Sequence, residues 1–347
     1  MHTESTAGKK AILLLNLGSP KSPAPHDVRA YLKEFLNDPY VIDIPQPWRS
    51  LLVNGVILNT RPKKTSAAYQ KIWTAQGSPL ILHTHSLAKK VQEHAHMPVY
   101  FTMRYGTPSI RETLTEIKKA AIQDLYFIPL YPQYSYAATE SSFVEFEKQK
   151  NQLIPNVKVI AVEDFFNDAA FIDALAESIK PTWERTQADL LLLSYHGIPE
   201  RQIAKTKYPP AQCCSPGCCD QWSSKNEKCY RAQCYETSRL LAEKLKLKST
   251  QYSVAFQSRL GRTKWIEPYT DFVLQDLPNQ GIKRLLVASP SFTADCLETL
   301  EEIQIRYAEV FKAAGGEFFE YIPCLNSADS FAKGLYALTQ SPRAKRL

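Results

Sequence analysis

The chain has 347 residues, of which 44% are hydrophobic and 22% charged, with a formal net charge of +7. This composition is typical of a folded globular protein and argues against a disordered one. Its apolar runs fall short of the roughly 20 residues that cross a bilayer, and the first ten residues lack the apolar stretch of a secretory leader. We therefore expect a cytoplasmic protein, free or peripheral to the inner membrane, of about two domains.

Predicted strands alternate with predicted helices along the chain. In the first half, "KKAILLLNLGSP", "MPVYFTMRYGTP", "DLYFIPLYPQYS" and "VKVIAVEDF" read as strands that end in turns, and "HDVRAYLKEFLND" and "SIRETLTEIKKAAI" read as helices. The second half repeats this order from "ADLLLLSYHGIPERQ" to "CLETLEEIQIRYAEVFKAAG". Such alternation predicts parallel sheets with helices on both faces, in two similar halves that divide near residue 165.

Ligands of such sheets bind beyond the carboxyl ends of the strands, so the turns there are the candidate sites. None of these turns carries the glycine pattern that cradles nucleotide phosphates, which argues against a nucleotide-dependent oxidoreductase. His196 follows an apolar strand at such a turn. A lone histidine is more often structural, but this position favours a functional role. Nucleic acid is not an expected partner, because no binding motif for it is present.

An acidic run follows the last predicted strand turn. Asp295, Glu298 and Glu302 are spaced i, i+3 and i+7, which predicts one face of a helix. One interpretation is a row of oxygen ligands that holds a divalent cation weakly. The other is a solvated stripe of acids favoured by the helix dipole.

Cysteines are concentrated in the segment 208–234, which holds six of the eight in the chain. In a reducing compartment, clustered cysteines predict a metal site more often than disulfides. Four thiolates suit either zinc or a [2Fe–2S] cluster, and incidental reduced thiols are the remaining alternative. The six are Cys213, Cys214, Cys218, Cys219, Cys229 and Cys234.

Six motifs in order carry a resemblance to a known family: "LLLNLGSP", "RYGTPSI", "YPQYS", "SYHGIPERQ", "FQSRLGRTKWIEPYTD" and "SPSFTADCLETLEEI". Over nearly its whole length the chain resembles the ferrochelatases, which insert ferrous iron into a porphyrin. The resemblance implies two Rossmann-like domains with parallel four-stranded sheets flanked by helices, and a porphyrin in the cleft between them. We expect domains at 9–165, completed by a C-terminal helix at 327–341, and at 166–326, with the cysteine-rich insert in the second.

Through the resemblance, His196 is expected to accept the pyrrole protons and Glu298 to face it across the cleft. Substrate iron is assigned to His196, Glu298, Asp295 and Glu302. Cys296 stands where the family usually carries histidine, which puts in doubt any proton relay or iron contact at that position. The residues expected to line the porphyrin are Leu17, Arg61, Arg104, Tyr105, Tyr131, Trp265 and Phe292, with the two arginines as candidate partners of the propionates.

Some members of the family carry a [2Fe–2S] cluster on a C-terminal extension, a pattern that this chain lacks; Tyr136 also occupies the place of their internal cysteine. Other bacterial members hold a cluster by cysteines within the second domain, which this segment resembles. The resemblance therefore implies a [2Fe–2S] cluster held by Cys229, Cys234 and one member of each doublet, with structural zinc as the alternative. Stabilisation or sensing is its expected role.

The expected reaction is insertion of Fe2+ into protoporphyrin IX, because "NLGSP" and "SYHGIP" resemble the Gram-negative branch of the family. Coproporphyrin III is the alternative substrate. A non-catalytic haem or iron–sulfur sensor is a further alternative, against which the retention of His196 and Glu298 argues. The oligomeric state is left open between monomer and homodimer. Apolar residues of the pocket lip contact either a bilayer or the porphyrin and core: Phe35, Leu36, Tyr40, Val41, Ile42, Trp48, Leu51 and Leu52.

Overall fold

The computed structural model describes residues 8–205, 217–261 and 263–347, which form two sheets flanked by helices. The strands are β1 (Lys10–Gly18), β2 (Val99–Tyr105), β3 (Asp124–Pro129), β4 (Lys158–Val162), β5 (Leu190–His196), β6 (Tyr252–Gln257), β7 (Arg284–Ala288), β8 (Phe318–Tyr321) and β9 (Ala344–Arg346). The α-helices are α1 (Pro25–Leu36), α2 (Trp48–Ser50), α3 (Leu58–Ile72), α4 (Pro79–Ala95), α5 (Ile110–Lys119), α6 (Ser141–Leu153), α7 (Ala169–Thr186), α8 (Glu200–Ile203), α9 (Tyr230–Lys244), α10 (Thr270–Asp276), α11 (Ala308–Ala313) and α12 (Asp329–Leu338).

The first sheet has the strand order β2-β1-β3-β4-β9. Its first four strands are parallel, and helices cover both faces, so the central strand β1 is buried from Ala11 to Leu15. At the end of β1, Gly18 approaches Tyr105 of β2 so closely that a Cβ atom there would lie 1.8 Å from the Tyr105 carbonyl oxygen. The glycine of the "NLGSP" turn is therefore required by the contact between these two strands.

The second sheet has the order β6-β5-β7-β8, and all of its strands are parallel. Strand β5 lies between two neighbours, which explains its uninterrupted apolar run from Leu190 to Leu193. His196 is the last residue of β5 and pairs in register with Gln257 of β6. The strand therefore places His196 at the carboxyl edge of the second sheet.

The C-terminal segment contacts both halves of the chain. Helix α12 packs against α4 of the first half and α7 of the second, with Phe331 and Leu335 fully buried. After it, β9 adds an antiparallel strand to β4, so the first sheet has five strands and not the expected four. On this basis we propose the division into 9–165 and 166–326, with the C-terminal helix completing the first domain.

Three helical segments of the described chain have π geometry: Leu51–Ile57, Tyr136–Glu140 and Glu298–Tyr307. Segments of this kind are rare and occur frequently at functional sites. Within the described residues, no helix is both long and apolar enough to cross a membrane.

Candidate active site

His196 is held by its backbone at both ends of the residue. Its N–H donates to Ser291 Oγ at 3.1 Å, and its carbonyl oxygen accepts from the Tyr230 hydroxyl at 2.8 Å. The ring Nδ1 lies 2.6 Å from the carbonyl oxygen of Gly197. Because a carbonyl oxygen only accepts, Nδ1 carries the hydrogen, and Nε2 of the neutral ring is the free acceptor.

Two aromatic side chains from the second half flank the imidazole. Phe292 lies 6.2 Å and Trp265 6.4 Å from it, measured between ring centroids. The indole Nε1 of Trp265 donates to the Leu260 carbonyl oxygen at 2.9 Å, which fixes the ring at its outer end. The structure therefore brings these two predicted porphyrin-lining residues to the candidate base.

Gln257 connects the strand of His196 to Glu298. Its side-chain oxygen accepts from Ser194 Oγ at 2.9 Å, and its Nε2 donates to the Glu298 carbonyl oxygen at 2.9 Å. Since Gln257 also pairs in register with His196, it joins the two predicted catalytic residues at one edge of the second sheet.

Glu298 lies within electrostatic reach of two tyrosines of the first half of the chain. Burial, with a further contribution from the negative charge of Glu298, raises the pKa of Tyr31 on α1 and of Tyr69 on α3, so both remain neutral phenols. Leu297 and Leu300 pack against the same apolar cluster as these tyrosines. Tyr31 and Tyr69 could not be predicted as site residues from the sequence, because at helical spacing they are indistinguishable from ordinary core residues.

The prediction that Asp295, Glu298 and Glu302 share one helix face is wrong. Asp295 lies in the loop before the helix, and the π geometry from Glu298 to Tyr307 changes the angle between successive side chains. No group of three or more His, Cys, Asp or Glu side chains is arranged to hold a metal ion anywhere in the described ranges.

Asp295 is a buried structural hub. Its carboxylate accepts from Thr299 Oγ1 at 2.9 Å, from the Tyr321 hydroxyl at 2.8 Å and from Asn326 Nδ2 at 2.7 Å. Nearby, burial lowers the pKa of His83 on α4, and the charge of Asp295 acts in the opposite sense. The bonds to Asp295 occupy the oxygen atoms that the sequence analysis assigned to iron.

Glu302 is engaged in the same way. It accepts from the Ser258 backbone and hydroxyl at 3.1 and 2.5 Å, from the Tyr307 hydroxyl at 2.8 Å, and from Arg306 Nη2 at 3.2 Å. This carboxylate therefore ties the π-helical segment to the turn after β6. Its assignment as an iron ligand is not supported by this geometry.

Among the porphyrin-lining candidates of the first half, Arg104 and Tyr105 share one buried carboxylate. Arg104 Nη2 and the Tyr105 hydroxyl both donate to Asp38 Oδ2, at 2.5 and 2.7 Å, and Arg104 Nε donates to Ser141. Arg104 is therefore largely committed to internal partners. Leu17 packs at the margin of the apolar cluster that contains Tyr105.

Arg61 on α3 differs from Arg104 because it has neither a hydrogen bond nor an ion pair with any other described residue. Arg61 is half-buried, and this burial lowers the pKa of its guanidinium. Burial also raises the pKa of Tyr131, whose hydroxyl therefore stays protonated beside Ser142. A half-buried guanidinium without a protein partner is suited to a carboxylate ligand.

The cysteine-rich segment is only partly described, and Cys213 and Cys214 lie outside the described residues. Cys218 and Cys219 have sulfur atoms 3.5 Å apart. A hydrogen bond with Cys229, followed by burial, raises the pKa of Cys219. Cys234 is fully buried on α9 and belongs to the same apolar cluster as Cys219 and Cys229.

The lip residues divide into three groups. Leu36 is buried, and Phe35, Val41 and Ile42 pack against the first-half cluster. Trp48 and Leu51, in contrast, are 64% and 63% exposed. The remaining two, Tyr40 and Leu52, are partly buried, and Tyr40 packs on Tyr136 with ring centroids 4.8 Å apart.

Two parallel-sheet halves joined in this way form the chelatase fold. The solved structure of SirB from Bacillus subtilis with Fe3+ matches with a TM-score of 0.54 at 12% identity, covering 96% of both chains. The sirohydrochlorin chelatase SirB of Bacillus subtilis subspecies spizizenii in complex with cobalt matches at 0.52 and 11% identity, covering 95% of this chain and 94% of that one. At these identities the likeness concerns the fold alone.

The family model for ferrochelatase matches residues 9–342. The chain is 46% identical to the ferrochelatase of Coxiella burnetii strain Dugway 5J108-111, over 92% of this chain and 90% of the relative. It is 44% identical to the ferrochelatases of Pseudomonas fluorescens, over 95% and 97%, and of Legionella pneumophila, over 95% and 98%. The chain belongs to the ferrochelatase family.

Proposed function

We propose that this protein is a ferrochelatase that inserts Fe2+ into protoporphyrin IX to form protohaem. The observation that carries the proposal is the link through Gln257: it pairs in register with His196, and its side chain donates to the backbone carbonyl of Glu298, so both residues lie at one edge of the second sheet. Family membership over residues 9–342 supports the same reaction.

The reaction requires two pyrrole protons to leave the ring while Fe2+ enters, with no change in oxidation state. His196 Nε2 can accept one of these protons, because Nδ1 carries the ring hydrogen and donates it to the Gly197 carbonyl oxygen. The carboxylate of Glu298 can attract Fe2+ or accept the second proton. These roles balance the reaction: porphyrin with two N–H groups and Fe2+ give haem and two protons.

The porphyrin is a flat apolar ring with two carboxylates. Aromatic and aliphatic side chains such as Trp265, Phe292 and Leu17 suit its faces. Arg61 suits a propionate, because a half-buried guanidinium without an internal partner gains a charge-assisted hydrogen bond on binding. Arg104 is a weaker candidate, since Asp38 and Ser141 already bind it.

The test is an anaerobic assay with Fe2+, or Zn2+ as a surrogate, in which protoporphyrin IX is converted to the metalloporphyrin and followed by its absorption spectrum. We expect His196→Ala and Glu298→Ala each to lower kcat by about 100-fold or more. His26→Ala, at a highly exposed histidine on α1, is the matched control. Near-normal rates in both site variants would refute the site assignment.

The same assay separates the alternatives. A higher kcat/KM with coproporphyrin III than with protoporphyrin IX would assign the protein to the coproporphyrin branch. Tight haem binding without any turnover of either porphyrin would favour the sensor.

For the cysteine-rich segment we propose a [2Fe–2S] cluster that draws its four ligands from the six cysteines. The sulfur atoms of Cys218 and Cys219 lie 3.5 Å apart, so either member of this doublet would be placed to serve as a ligand. Cys229 bonds to Cys219, and the guanidinium of Arg231 lies within electrostatic reach of both doublet members. The thiols are thus near enough for metal binding to bring them together, although the described ones do not form a preformed metal site.

Iron, sulfide and zinc contents of freshly purified protein test this second proposal. We expect iron and acid-labile sulfide in equal amounts and visible absorption that bleaches on reduction. A colourless protein with one zinc per chain would favour a structural zinc site.

We further propose that the exposed apolar residues Trp48, Leu51 and Val56 contact a membrane surface peripherally. Flotation with lipid vesicles tests this, and a triple serine variant is expected to lose vesicle binding. Equal flotation of wild type and variant would contradict it.

A further inference from the structure

The carboxylate of Glu298 has an unusual hydrogen-bonding environment for a residue at a domain contact. Asp295 and Glu302, its two acidic neighbours in sequence, each accept three or more hydrogen bonds or ion pairs. Glu298 receives one side-chain hydrogen bond from the described residues, and that bond comes from a thiol. Cys296 Sγ lies 3.1 Å from Glu298 Oε2.

Cys296 is firmly fixed in position. Its backbone N–H donates to Thr299 Oγ1 at 3.0 Å, and the same hydroxyl donates to Asp295 Oδ1 at 2.9 Å. The carbonyl oxygen of Cys296 accepts from the Leu300 N–H at 3.0 Å, at the start of the π-helical segment. Its side chain is buried in a small apolar cluster with Leu80, Ala294 and Phe292. The thiol therefore points at Glu298 because its backbone leaves it little freedom.

A thiol is a weak donor, and this weakness suits the task. Strong donors such as those that bind Asp295 would neutralise much of a carboxylate's capacity for a cation or a proton. A single S–H group can select one orientation of the carboxylate and still leave its charge available. The apolar surroundings of Cys296 also disfavour the thiolate, which would repel Glu298.

We infer that Cys296 is a positioning residue for metal insertion: its thiol donates to Glu298 Oε2 and holds that carboxylate in the orientation in which it acts. The inference rests on the proposed ferrochelatase function. It assigns no contact between Cys296 and iron or porphyrin.

Two substitutions separate positioning from simple packing. Cys296→Ala removes the donor, and Cys296→Ser retains a hydrogen-bond donor in a side chain of similar size. We expect Cys296→Ala to lower kcat about three- to tenfold with the KM for porphyrin changed less than twofold, because the lost bond is worth about 1 kcal/mol. Cys296→Ser is expected to stay within twofold of wild type in kcat.

Cys324→Ala is the matched control, because Cys324 is a nearby, partly buried thiol whose sulfur contacts Tyr321 and not Glu298. It is expected to leave kcat within twofold of wild type. Equal kcat in Cys296→Ala and wild type, or an equal loss in the alanine and serine variants, would overturn the inference.

Infrared spectroscopy tests the bond without any catalytic turnover. The S–H stretching band of Cys296 is isolated as the difference between wild type and Cys296→Ser. Removing the acceptor with Glu298→Ala is expected to shift this band to higher frequency, and an unmoved band would overturn the inference. Should the wild type fail to metallate any porphyrin, the proposed function falls, while the infrared result still reports on the thiol–carboxylate bond.

Discussion

Asp43 offers a quantitative test of how the two halves are held together beside the candidate site. Its carboxylate, whose side chain is only 3% exposed, accepts from Arg201 Nε at 2.9 and 3.0 Å and from Lys205 Nζ at 2.8 Å. Arg201 lies on α8, which begins four residues after His196. Asp43→Asn keeps the shape of the side chain and removes its charge, so it leaves both cations without their counter-ion.

The expected loss is about 1–3 kcal/mol in the free energy of unfolding. Hydrogen bonds to charged groups contribute about 1.5–3 kcal/mol each, which sets the upper part of this range. Arg201 and Lys205 are 45% and 40% exposed, so water recovers part of the loss once the carboxylate is gone. The part of the loss that water does not recover comes from the bonds to the buried Asp43 carboxylate.

The loss should depend on pH. Burial alone would raise the pKa of Asp43, but the hydrogen bonds from Arg201 and Lys205 outweigh it, and the pKa is lowered overall. A carboxyl group with a lowered folded-state pKa stabilises the protein fully above its unfolded pKa of about 4, and loses this effect as the pH falls through the folded value. The difference between wild type and Asp43→Asn should therefore be constant from pH 7 to 5.5 and shrink below about pH 4.

Urea unfolding at several pH values measures the difference, with the slope of each transition checked for unchanged cooperativity. Glu317→Gln, at an exposed carboxylate outside this contact, is the control and should change stability by less than about 0.5 kcal/mol. A loss that is equally large at pH 3 and pH 7, or no loss at pH 7, would refute the assignment of this ion pair.

Three further predictions concern the pocket, the base and the core. Arg61→Leu should raise the KM for a porphyrin dicarboxylate about tenfold and leave that for its dimethyl ester unchanged; an equal rise for both would exclude propionate binding. Tyr230→Phe removes the donor to the His196 carbonyl and should lower kcat a few-fold at a cost of about 1 kcal/mol in urea unfolding, and unchanged kcat would show that this bond does not position the base. Phe311→Ala, in the core of the second sheet, should cost about 3–5 kcal/mol without affecting the KM for porphyrin, and a loss below 1 kcal/mol in urea unfolding would contradict the burial of this ring.

Much of the fold could be predicted from local patterns. The strand predicted at "KKAILLLNLGSP" is β1, and the strand predicted at "ADLLLLSYHG" is β5, with His196 at its end. Both are continuous apolar runs followed by turn residues, a signature that parallel strands covered on two faces produce regardless of their neighbours. The same patterns did not reveal β9, because three residues at a sheet edge carry no apolar periodicity.

The acidic segment shows where local reasoning failed. The spacing of Asp295, Glu298 and Glu302 predicted a common face because it assumed one regular α-helix. The structure instead begins the helix after Asp295 and winds it with π geometry. Tyr321 at the end of β8 and Asn326 in the loop after it bind Asp295. Those partners lie about 30 residues away in sequence, so the spacing carried no information about them.

By itself, the sequence determined the alternation of strands and helices, the place of His196 at a strand end and the family of the chain. These properties depend on residue types within short segments, whose burial pattern is written into the order of the residues. Only the tertiary structure decided that, among the residues it describes, Glu298 has a single weak donor, Arg61 has no partner, and Tyr31 and Tyr69 lie within electrostatic reach of Glu298. Such properties depend on contacts between segments far apart in the chain, and the free energy of each contact depends on what the other segment supplies.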